Sequence, residues 1–368
     1  MHRIRATYLV HCTADTAQAR ADAIRVEQSV EMPLAGVREQ RILDDIVGKV
    51  ESIEPSAGGF RIVIGLAAAT ARPGSAQLMN MLFGNTSLHA DVVLLDAEFP
   101  DELASAFGGP RHGIAGLRKL TGVNAGPITC TALKPQGSSV EVLARLCHSF
   151  ALAGLHIIKD DHGLSDQAYS PFDKRLRACQ AAVLRANRES GSNALYAPSL
   201  CGTPSQVFAQ ARMAREEGVK ILLVAPMLLG LPVFEELVAE HTECAILAHP
   251  AMGGAARIAP PLLFGKIFRM LGADAVIFTG YGGRFAYTPE RCRAIADAAR
   301  APLHGMKPSM PVPAGGMKLE RVDELVDFYG PDTMLLIGGD LLIAGERLVE
   351  RGREFAAKVA GKSRLTVT

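Results

Sequence analysis

The sequence predicts an α/β fold in which a small N-terminal α+β domain of the ferredoxin-like type precedes a (β/α)8 barrel. Strands and helices mix with hairpin-like spacing over roughly the first 120 residues. From about residue 127, short apolar strands alternate strictly with amphipathic helices, and eight such units fill the length of a barrel. Hydrophobic residues make up 48% of the chain, enough for a large core. We therefore predict domains at residues 1–122 and 123–368.

The N-terminal domain shows both strand and helix periodicity. Its predicted elements are a strand at 4–10, a helix at 15–28, strands at 47–53 and 60–66 around the turn PSAGG, a helix at 74–82, a strand at 92–95 and a short helix at 101–106. The segment GGPRHGIAGLRKLTGV, which begins at Gly108, is interpreted as a glycine-rich connection to the barrel.

The barrel prediction depends on the count of units. The predicted strands lie at 128–133, 155–158, 195–198, 220–224, 244–247, 274–278, 309–312 and 333–337. Helical stretches fall at 139–153, 173–188, 205–217, 233–241, 260–270, 289–299, 318–328 and 344–359. A doubly wound open sheet is the alternative, but no G-x-G-x-x-G follows the first strand. The barrel is therefore favoured.

Charge and cysteine content exclude several classes of protein. Lys plus Arg number 39 against 38 acids, and no long run of like charge predicts a nucleic-acid or membrane surface. No apolar run approaches the roughly 18 residues of a membrane helix. Seven scattered cysteines without a C-x-x-C pair are typical of reduced thiols rather than a disulfide framework or a zinc site. We expect a soluble cytoplasmic protein.

Ionisable side chains follow the predicted barrel strands at the ends where barrel enzymes carry their active sites. The second strand runs into the sequence KDDH, which places Lys159, Asp161 and His162 there. Lys134 follows the first strand and His249 the fifth. Because burying charge is costly unless it is paired or metal-bound, the cluster predicts a functional site. A solvated polar turn is the alternative for KDDH taken alone.

Two chemical roles are open for the two lysines. Lys134 and Lys159 follow adjacent strands, and a lysine beside another cation or removed from water favours its neutral form, which is a base. Carbamylation by CO2 would instead turn the amine into an oxygen ligand, and with Asp161 it would suit Mg²⁺. His162 is a less typical magnesium ligand. His249 could serve as an acid, a base or a substrate ligand.

Glycine pairs follow the seventh and eighth strands. Gly315 and Gly316 form one pair, and Gly338 and Gly339 the other. Glycine lets backbone N–H groups approach a phosphate, and a helix N-terminus would add its positive dipole end. Loops seven and eight are the usual phosphate position in barrels, so the pairs predict a phosphate site. Two simple tight turns are the alternative.

At these residues the chain resembles the large subunit of Rubisco, and more closely the Rubisco-like proteins. The resemblance covers most of the chain. The matching strings are FGNTS (83–87), GGPRHGI (108–114), TALKPQG (131–137), IIKDDHG, AHPAMGG (248–254), PAGG and IGGD.

The resemblance implies a role for each matching position. It makes Lys134 the catalytic lysine of the first strand, Lys159 the carbamylated lysine that holds magnesium, and Asp161 a second metal ligand. It makes His249 the active-site histidine of the fifth strand and Asn85 a residue contributed by a partner subunit. The two glycine pairs match the family's backbone phosphate cradle, and a homodimer with shared active sites is implied.

Departures from the family pattern argue against carboxylation. His162 stands where the third metal ligand, a glutamate, is expected. Pro250 replaces a phosphate-binding arginine, and Phe278 a histidine. Loop six, TGYGGRFAYT, lacks the lysine that handles carbon dioxide and has Arg284 nearby, and the second lysine of the first-strand motif is Gln136. The threonine–tryptophan segment that closes over a bisphosphate is missing, so a monophosphate substrate is favoured.

The resemblance therefore predicts a magnesium-dependent enolisation in methionine salvage. We favour an isomerase of 5-methylthioribulose 1-phosphate with Lys134 as the base, because enolase members of the family place a lysine where this chain has Asn85. A 2,3-diketo-5-methylthiopentyl-1-phosphate enolase, a decarboxylase of sugar-acid phosphates, and an inactive scaffold with a regulatory binding role are the alternatives.

Overall fold

The computed structural model describes residues 2–72, 74–241 and 243–365. It divides into two compact units. The first runs as far as Gly108 and also includes the segment Met252–Leu263, and the second comprises Gly109–Ala251 and the chain from Phe264 onward. Within the described ranges, no helix has both the length and the apolar character needed to cross a bilayer. The seven cysteines are free thiols.

The first unit contains a four-stranded antiparallel sheet in the order β2–β3–β1–β4. Its elements are β1 (Arg3–Val10), α1 (Ala17–Glu27), β2 (Lys49–Ser56), β3 (Gly59–Ala67), α2 (Gly74–Phe83), β4 (Val92–Glu98) and α3 (Asp101–Ala104). Alternate residues of β1, from Ile4 to Val10, are completely buried, as period-two patterning requires. The order βαββαβ with this strand arrangement confirms the ferredoxin-like prediction.

The second unit contains the barrel, which confirms the predicted fold class. Its strands are β5 (Ile128–Leu133), β6 (Ile157–Asp160), β7 (Leu195–Ala197), β8 (Ser199–Leu200), β9 (Ile221–Val224), β10 (Ala245–Ala248), β11 (Ala275–Thr279), β12 (Met310–Ala314) and β13 (Met334–Leu336). Its first helices are α4 (Gly113–Thr121), α5 (Val140–Leu152), α6 (Phe172–Ser190), α7 (Pro204–Glu216), α8 (Pro226–Leu229), α9 (Leu231–Glu240) and α10 (Phe268–Met270). The later ones are α11 (Pro289–Arg300), α12 (Val322–Tyr329), α13 (Gly339–Leu342) and α14 (Leu348–Leu365).

Parallel pairing joins the barrel strands in two sheets, β13–β5–β6–β7 and β8–β9–β10–β11–β12. Pro198 separates β7 from β8, so the third strand matches its prediction as β7 and continues past the predicted end as the short strand β8. On the other side, Met310 N donates to Asp274 O, which directs the amides of alternate β12 residues toward β11. Pro311 and Pro313 therefore face β13, where they have no N–H to donate. Thr333 Oγ1 donates to Pro311 O at 3.0 Å instead. We call this β12–β13 boundary the proline seam.

The glycine-rich segment after Gly108 is a helix over most of its length, α4, and not the connection predicted from its glycines. The amides at the start of this helix are capped by a residue far along the chain. Asp274 Oδ1 accepts from His112 N at 2.7 Å and from Gly113 N at 2.6 Å. Ile114 and Leu117 pack into the apolar cluster inside the barrel. These contacts outweigh the low helix propensity of the glycines.

Two predicted helices differ from the structure in kind. The stretch predicted as a helix at 260–270 contains the π-helical turn Pro261–Ile267 before α10, and the last helix begins only at Leu348, after the 3-10 turn Gly345–Arg347. A further π-helical turn, Ile42–Ile46, precedes β2. Hydrophobic periodicity does not separate these hydrogen-bonding patterns from an α-helix, because all of them bury one face.

Folding stability is expected to fall below neutral pH because of His156, just before β6. Its Nδ1 accepts a hydrogen bond from Thr129 N at 3.0 Å, and burial lowers its pKa to about 4. Unfolded histidine titrates near 6.5, so between these values only the unfolded chain binds the proton. This group should remove about 2 kcal/mol of the unfolding free energy between pH 7 and pH 5. Urea unfolding at the two pH values measures it.

The variant His156→Asn is the control, since its amide oxygen can accept the same bond without titrating. Between pH 7 and pH 5, the unfolding free energy of this variant should fall by about 2 kcal/mol less than that of the native protein. An identical pH dependence in both proteins would show that His156 does not contribute.

Candidate active site

The side chains at the end of β6 alternate between the two faces of the strand. Ile157 packs in the apolar cluster inside the barrel, so Lys159 and Asp161 share its inward face. Asp160 lies on the opposite face, where its carboxylate accepts from Arg175 of α6. Register pairs Lys159 with Ala132 of β5, which brings the end of β6 beside Lys134. The structure thus brings together the charged residues predicted after the first two strands.

Lys134 and Asp161 form an ion pair. Lys134 Nζ lies 2.5 Å from Asp161 Oδ2, and His162 Nδ1 lies 3.5 Å from Oδ1 of the same carboxylate. Burial acts to raise the pKa of Asp161, but the hydrogen bonds from His162 and Lys134 and the charge of Lys159 hold that pKa well below its usual range. Asp161 is therefore an anion with a cation on one oxygen and an imidazole near the other.

Lys159 is buried, with only 2% of its surface exposed. Its Nζ donates to Asp160 O at 2.9 Å. Burial lowers its pKa, and Lys134 acts in the same direction against the opposing charge of Asp161. A lowered pKa increases the fraction of neutral amine, which is the form that reacts with CO2 to give a carbamate.

His249 follows β10 and faces the same cluster. Its ring stacks on that of His162, with centroids 4.1 Å apart and planes inclined by 14°. Ala251 N donates to its Nδ1 at 3.2 Å, which assigns the proton of the neutral ring to Nε2. Burial, with Lys159 and His162 acting in the same direction, lowers its pKa to about 2. His249 is therefore a neutral hydrogen-bond donor through Nε2.

Asp160 was not singled out from the sequence. Its carboxylate accepts from Tyr196 Oη at 2.8 Å, Arg175 Nε at 3.1 Å and Ser199 N at 3.1 Å. Both Asp160 and Arg175 have fully buried side chains. The alternation of KDD along a strand was the available signal, because it places the middle residue on the outer face.

The glycine pairs lie at the ends of β12 and β13. An ideal Cβ on Gly338 would come within 3.9 Å of Lys134 Cε, so this loop borders the lysine. The amides of Gly315, Gly316 and Gly338 donate no hydrogen bond within the described part of the chain. Gly339 begins the four-residue α13, and the 3-10 turn Leu319–Arg321, continued directly by α12, follows the other pair. These loops therefore present to an anion backbone amides that donate no hydrogen bond elsewhere in the described part of the chain.

Loop six brings a cation and an aromatic ring to the first glycine pair. Arg284 N donates to Gly315 O at 2.8 Å. Its guanidinium lies 5.6 Å from the centroid of the Phe285 ring, which is 50% exposed. An ideal Cβ on Gly315 would touch that ring at 3.0 Å. The sequence did not assign a role to Arg284, because loop length obscures its alignment.

Asn85 lies in the first compact unit, at the start of the 3-10 turn Asn85–Leu88. Its Nδ2 donates to Glu27 Oε1 at 2.8 Å. Its predicted role in substrate binding stays a prediction.

Magnesium binds to proteins through carboxylate oxygens and water. Among residues 2–72, 74–241 and 243–365, no three His, Cys, Asp or Glu side chains converge as metal ligands. Asp161 supplies one carboxylate, and Lys134 already places a cation on it at 2.5 Å. A carbamate on buried Lys159 would supply further oxygen ligands of the kind that magnesium prefers. With that modification the residues fit the ion.

The sequence profile of the ribulose bisphosphate carboxylase large chain, catalytic domain, matches residues 113–345. The chain is 51% identical over 359 residues to ribulose bisphosphate carboxylase-like protein 1 of Rhodopseudomonas palustris, covering 97% of this chain and 98% of that one. It is 50% identical over 361 residues to the 5-methylthioribulose-1-phosphate isomerase of Rhodospirillum rubrum, with 98% and 96% covered.

A more distant relative is the 2,3-diketo-5-methylthiopentyl-1-phosphate enolase of Geobacillus kaustophilus, 32% identical over 385 residues, with 98% of this chain and 92% of the relative covered. Among solved structures, a Rubisco-like protein from Rhodopseudomonas palustris superposes with a TM-score of 0.92 at 47% identity, covering 98% of both chains. The chain therefore belongs to the family of the ribulose bisphosphate carboxylase large chain and is a Rubisco-like protein.

Proposed function

We propose that this protein is an isomerase that enolises 5-methylthioribulose 1-phosphate in methionine salvage and fixes no CO2. The observation that carries the proposal is the cluster of Lys134, Asp161 and Lys159 beside the free amide of Gly338. Enolisation needs a base, a group that stabilises the oxyanion and an anchor for the phosphate. The 50% identity to an isomerase of Rhodospirillum rubrum supports the choice of substrate.

Lys134 is the proposed base. Lys134, which is paired with Asp161 as an ammonium in the resting site, would first lose a proton to solvent. Its neutral amine would then take the proton from the carbon next to the carbonyl, so that the C–H bond breaks, an N–H bond forms and the electron pair enters the enediolate. Asp161 Oδ2, at 2.5 Å, would stabilise the ammonium that results. The same ammonium would return the proton to another carbon of the enediolate, which completes an isomerisation without net loss or gain of atoms.

His249 is the proposed donor to the substrate oxygen. Because its Nδ1 accepts from Ala251 N, its Nε2–H is available for an enolate oxygen. When bound through Asp161 and a carbamate on Lys159, magnesium would add stabilisation of the same negative charge. The amides of the glycine pairs would hold the phosphate.

The test is turnover of the proposed substrate. Purified protein should move a carbon-bound proton of 5-methylthioribulose 1-phosphate, with deuterium from the solvent entering the product and no requirement for added CO2 as a substrate. NMR in deuterated buffer measures both events. Treatment with a chelator should abolish the exchange, and magnesium with bicarbonate should restore it. Absence of exchange under every condition would refute the proposal.

An enolase or a sugar-acid-phosphate decarboxylase is the second candidate. The 32% identity to an enolase of Geobacillus kaustophilus favours the first of these. Offering 2,3-diketo-5-methylthiopentyl 1-phosphate to the protein separates the two, since only an enolase would consume it. An inactive scaffold would show neither reaction and need not bind magnesium, which calorimetric titration detects.

We also propose a homodimer with shared active sites. It rests on the match of Asn85 with a residue that a partner subunit contributes in this family. Mixing an inactive Lys134→Arg protein with an inactive Asn85→Ala protein should restore part of the activity, because one hybrid site would contain both native residues. Sedimentation of a fully active monomer would contradict it.

Alanine at Gly316 is expected to raise KM for the phosphorylated substrate by roughly tenfold or more, as loss of one or two charge-assisted hydrogen bonds would. Gly316 has φ of 93°, and an added Cβ would come within 2.9 Å of Arg284 N. Gly330 is the matched control, with φ of 81° and no atom within 4 Å of an added Cβ. Gly330→Ala should share the backbone strain and leave KM unchanged, and steady-state kinetics compare the two.

A further inference from the structure

We propose that His162 is a positioning residue, whose ring holds the imidazole of His249 in place, and that it is not a ligand of the metal. The inference rests on the proposed function for the role of His249. It concerns the position at which the resemblance to Rubisco implies a glutamate and this chain has an imidazole.

The contacts of the His162 ring support this role. One face lies against His249 at 4.1 Å between centroids, with only 14° between the planes. Its Nδ1 edge lies 3.5 Å from Asp161 Oδ1, which fixes the rotation of the ring. The side chain is 45% exposed, so the rest of the protein does little to restrain it. Asp161 therefore orients His162, and His162 covers a face of His249.

His249 needs such a support. Its backbone is fixed, because His249 N donates to Val224 O at 2.7 Å, and its Nδ1 accepts from Ala251 N. The bond to Nδ1 restrains one edge of the ring, and packing against the ring face limits the rotation that remains. A stacked ring limits it without using the nitrogen that faces the substrate. The direction of Nε2–H is thus set by the bond from Ala251 N together with the face of His162.

Metal ligation explains the same residue less well. In the described ranges His162 does not converge with two further His, Cys, Asp or Glu side chains. Magnesium prefers oxygen ligands, and imidazole is a better ligand for transition metals. An aromatic face, in contrast, is a property that the family's glutamate lacks.

Three variants separate the two roles. His162→Phe keeps the aromatic face and removes both nitrogens, His162→Ala removes everything, and His162→Glu removes the face and adds a carboxylate. We expect kcat within about twofold of the native value for His162→Phe and a fall of roughly three- to tenfold for the other two, as expected for loss of a stacked pair. His148→Phe is the control, since His148 lies on α5 and contacts Glu189.

Two further measurements do not depend on turnover. Affinity for Mn²⁺, followed by electron paramagnetic resonance, should be the same in His162→Phe as in the native protein, whereas loss of a ligand would lower it tenfold or more. Long-range proton–nitrogen NMR should show the Nε2–H form of His249 in the native protein and in His162→Phe. In His162→Ala the bond from Ala251 N should keep that form, but the ring resonances of His249 should broaden because its ring is less restrained.

The outcomes are distinct. A His162→Phe protein that loses Mn²⁺ affinity, or whose kcat falls as far as that of His162→Ala, would overturn the positioning role. If the native protein does not turn over 5-methylthioribulose 1-phosphate, the proposed function fails, but the NMR and Mn²⁺ measurements still decide the role of His162.

Discussion

Lys134→Arg is expected to lower kcat by roughly 10²- to 10⁴-fold, the range measured for loss of a general base. Arginine can keep the ion pair with Asp161 that Lys134 makes at 2.5 Å, but its guanidinium remains protonated at any accessible pH. The Lys134→Arg site would keep the positive charge beside Asp161 but would contain no side chain at this position that can accept a proton. Binding of the substrate should therefore change little, which calorimetry at equilibrium measures beside single-turnover kinetics.

Two comparisons make this result specific. Lys134→Met removes the base and the ion pair together, so it should be as inactive as the arginine variant and should also alter substrate binding. Lys119→Arg on α4 makes the same exchange at the opposite end of the barrel and should leave kcat unchanged. A Lys134→Arg protein with more than a tenth of the native kcat would exclude Lys134 as the base.

Arg175→Met is expected to lower the free energy of unfolding by about 3–5 kcal/mol, the usual cost of leaving one member of a buried ion pair alone. Arg175 Nε donates to Asp160 Oδ2 at 3.1 Å, and neither side chain has any exposed surface. Without the guanidinium, a buried carboxylate would retain only Tyr196 and Ser199 as donors. Denaturation by urea measures the loss.

Arg177→Met on the same helix provides the control. Arg177 is 59% exposed and pairs with Glu217 at 3.0 Å, so its removal should change the unfolding free energy by about 0–1 kcal/mol. The double variant Arg175→Met with Asp160→Asn should recover part of the loss, because the uncompensated charge is gone. Equal losses in the single and double variants would show that the two residues are not coupled.

Much of the barrel site could be predicted because it depends on local sequence. The ends of the first, second and fifth strands are marked by a change from apolar to ionisable residues, as at Ile158 and Lys159, and parallel strands bring such ends to one rim. Alternation along KDD also fixes which side chains face inward. Lys134, Lys159, Asp161 and His249 were found in this way.

The remaining contacts depend on residues that are far apart in the chain. The stack of His162 on His249 joins the loop after β6 to the loop after β10. The hydrogen bond from Ala251 N, which sets the His249 tautomer, depends on the turn after β10. Asp274, which caps α4 from the start of β11, likewise has no local signal. Hydrophobic periodicity in the sequence does not indicate contacts between residues so far apart in the chain, so only the three-dimensional structure shows them.

The proline seam and the break at Pro198 divide the barrel strands into two hydrogen-bonded sheets. Lys134, Lys159 and Gly338 belong to the sheet that begins with β13, and His249 and Gly315 to the one that ends with β12. The carboxylate of Asp160 accepts from Tyr196 Oη and Ser199 N on either side of Pro198, so it links the two sheets there. A phosphate held by both glycine pairs would bridge the seam and link the ends of β12 and β13. Inorganic phosphate should therefore slow amide exchange in β13 and leave β9 unchanged.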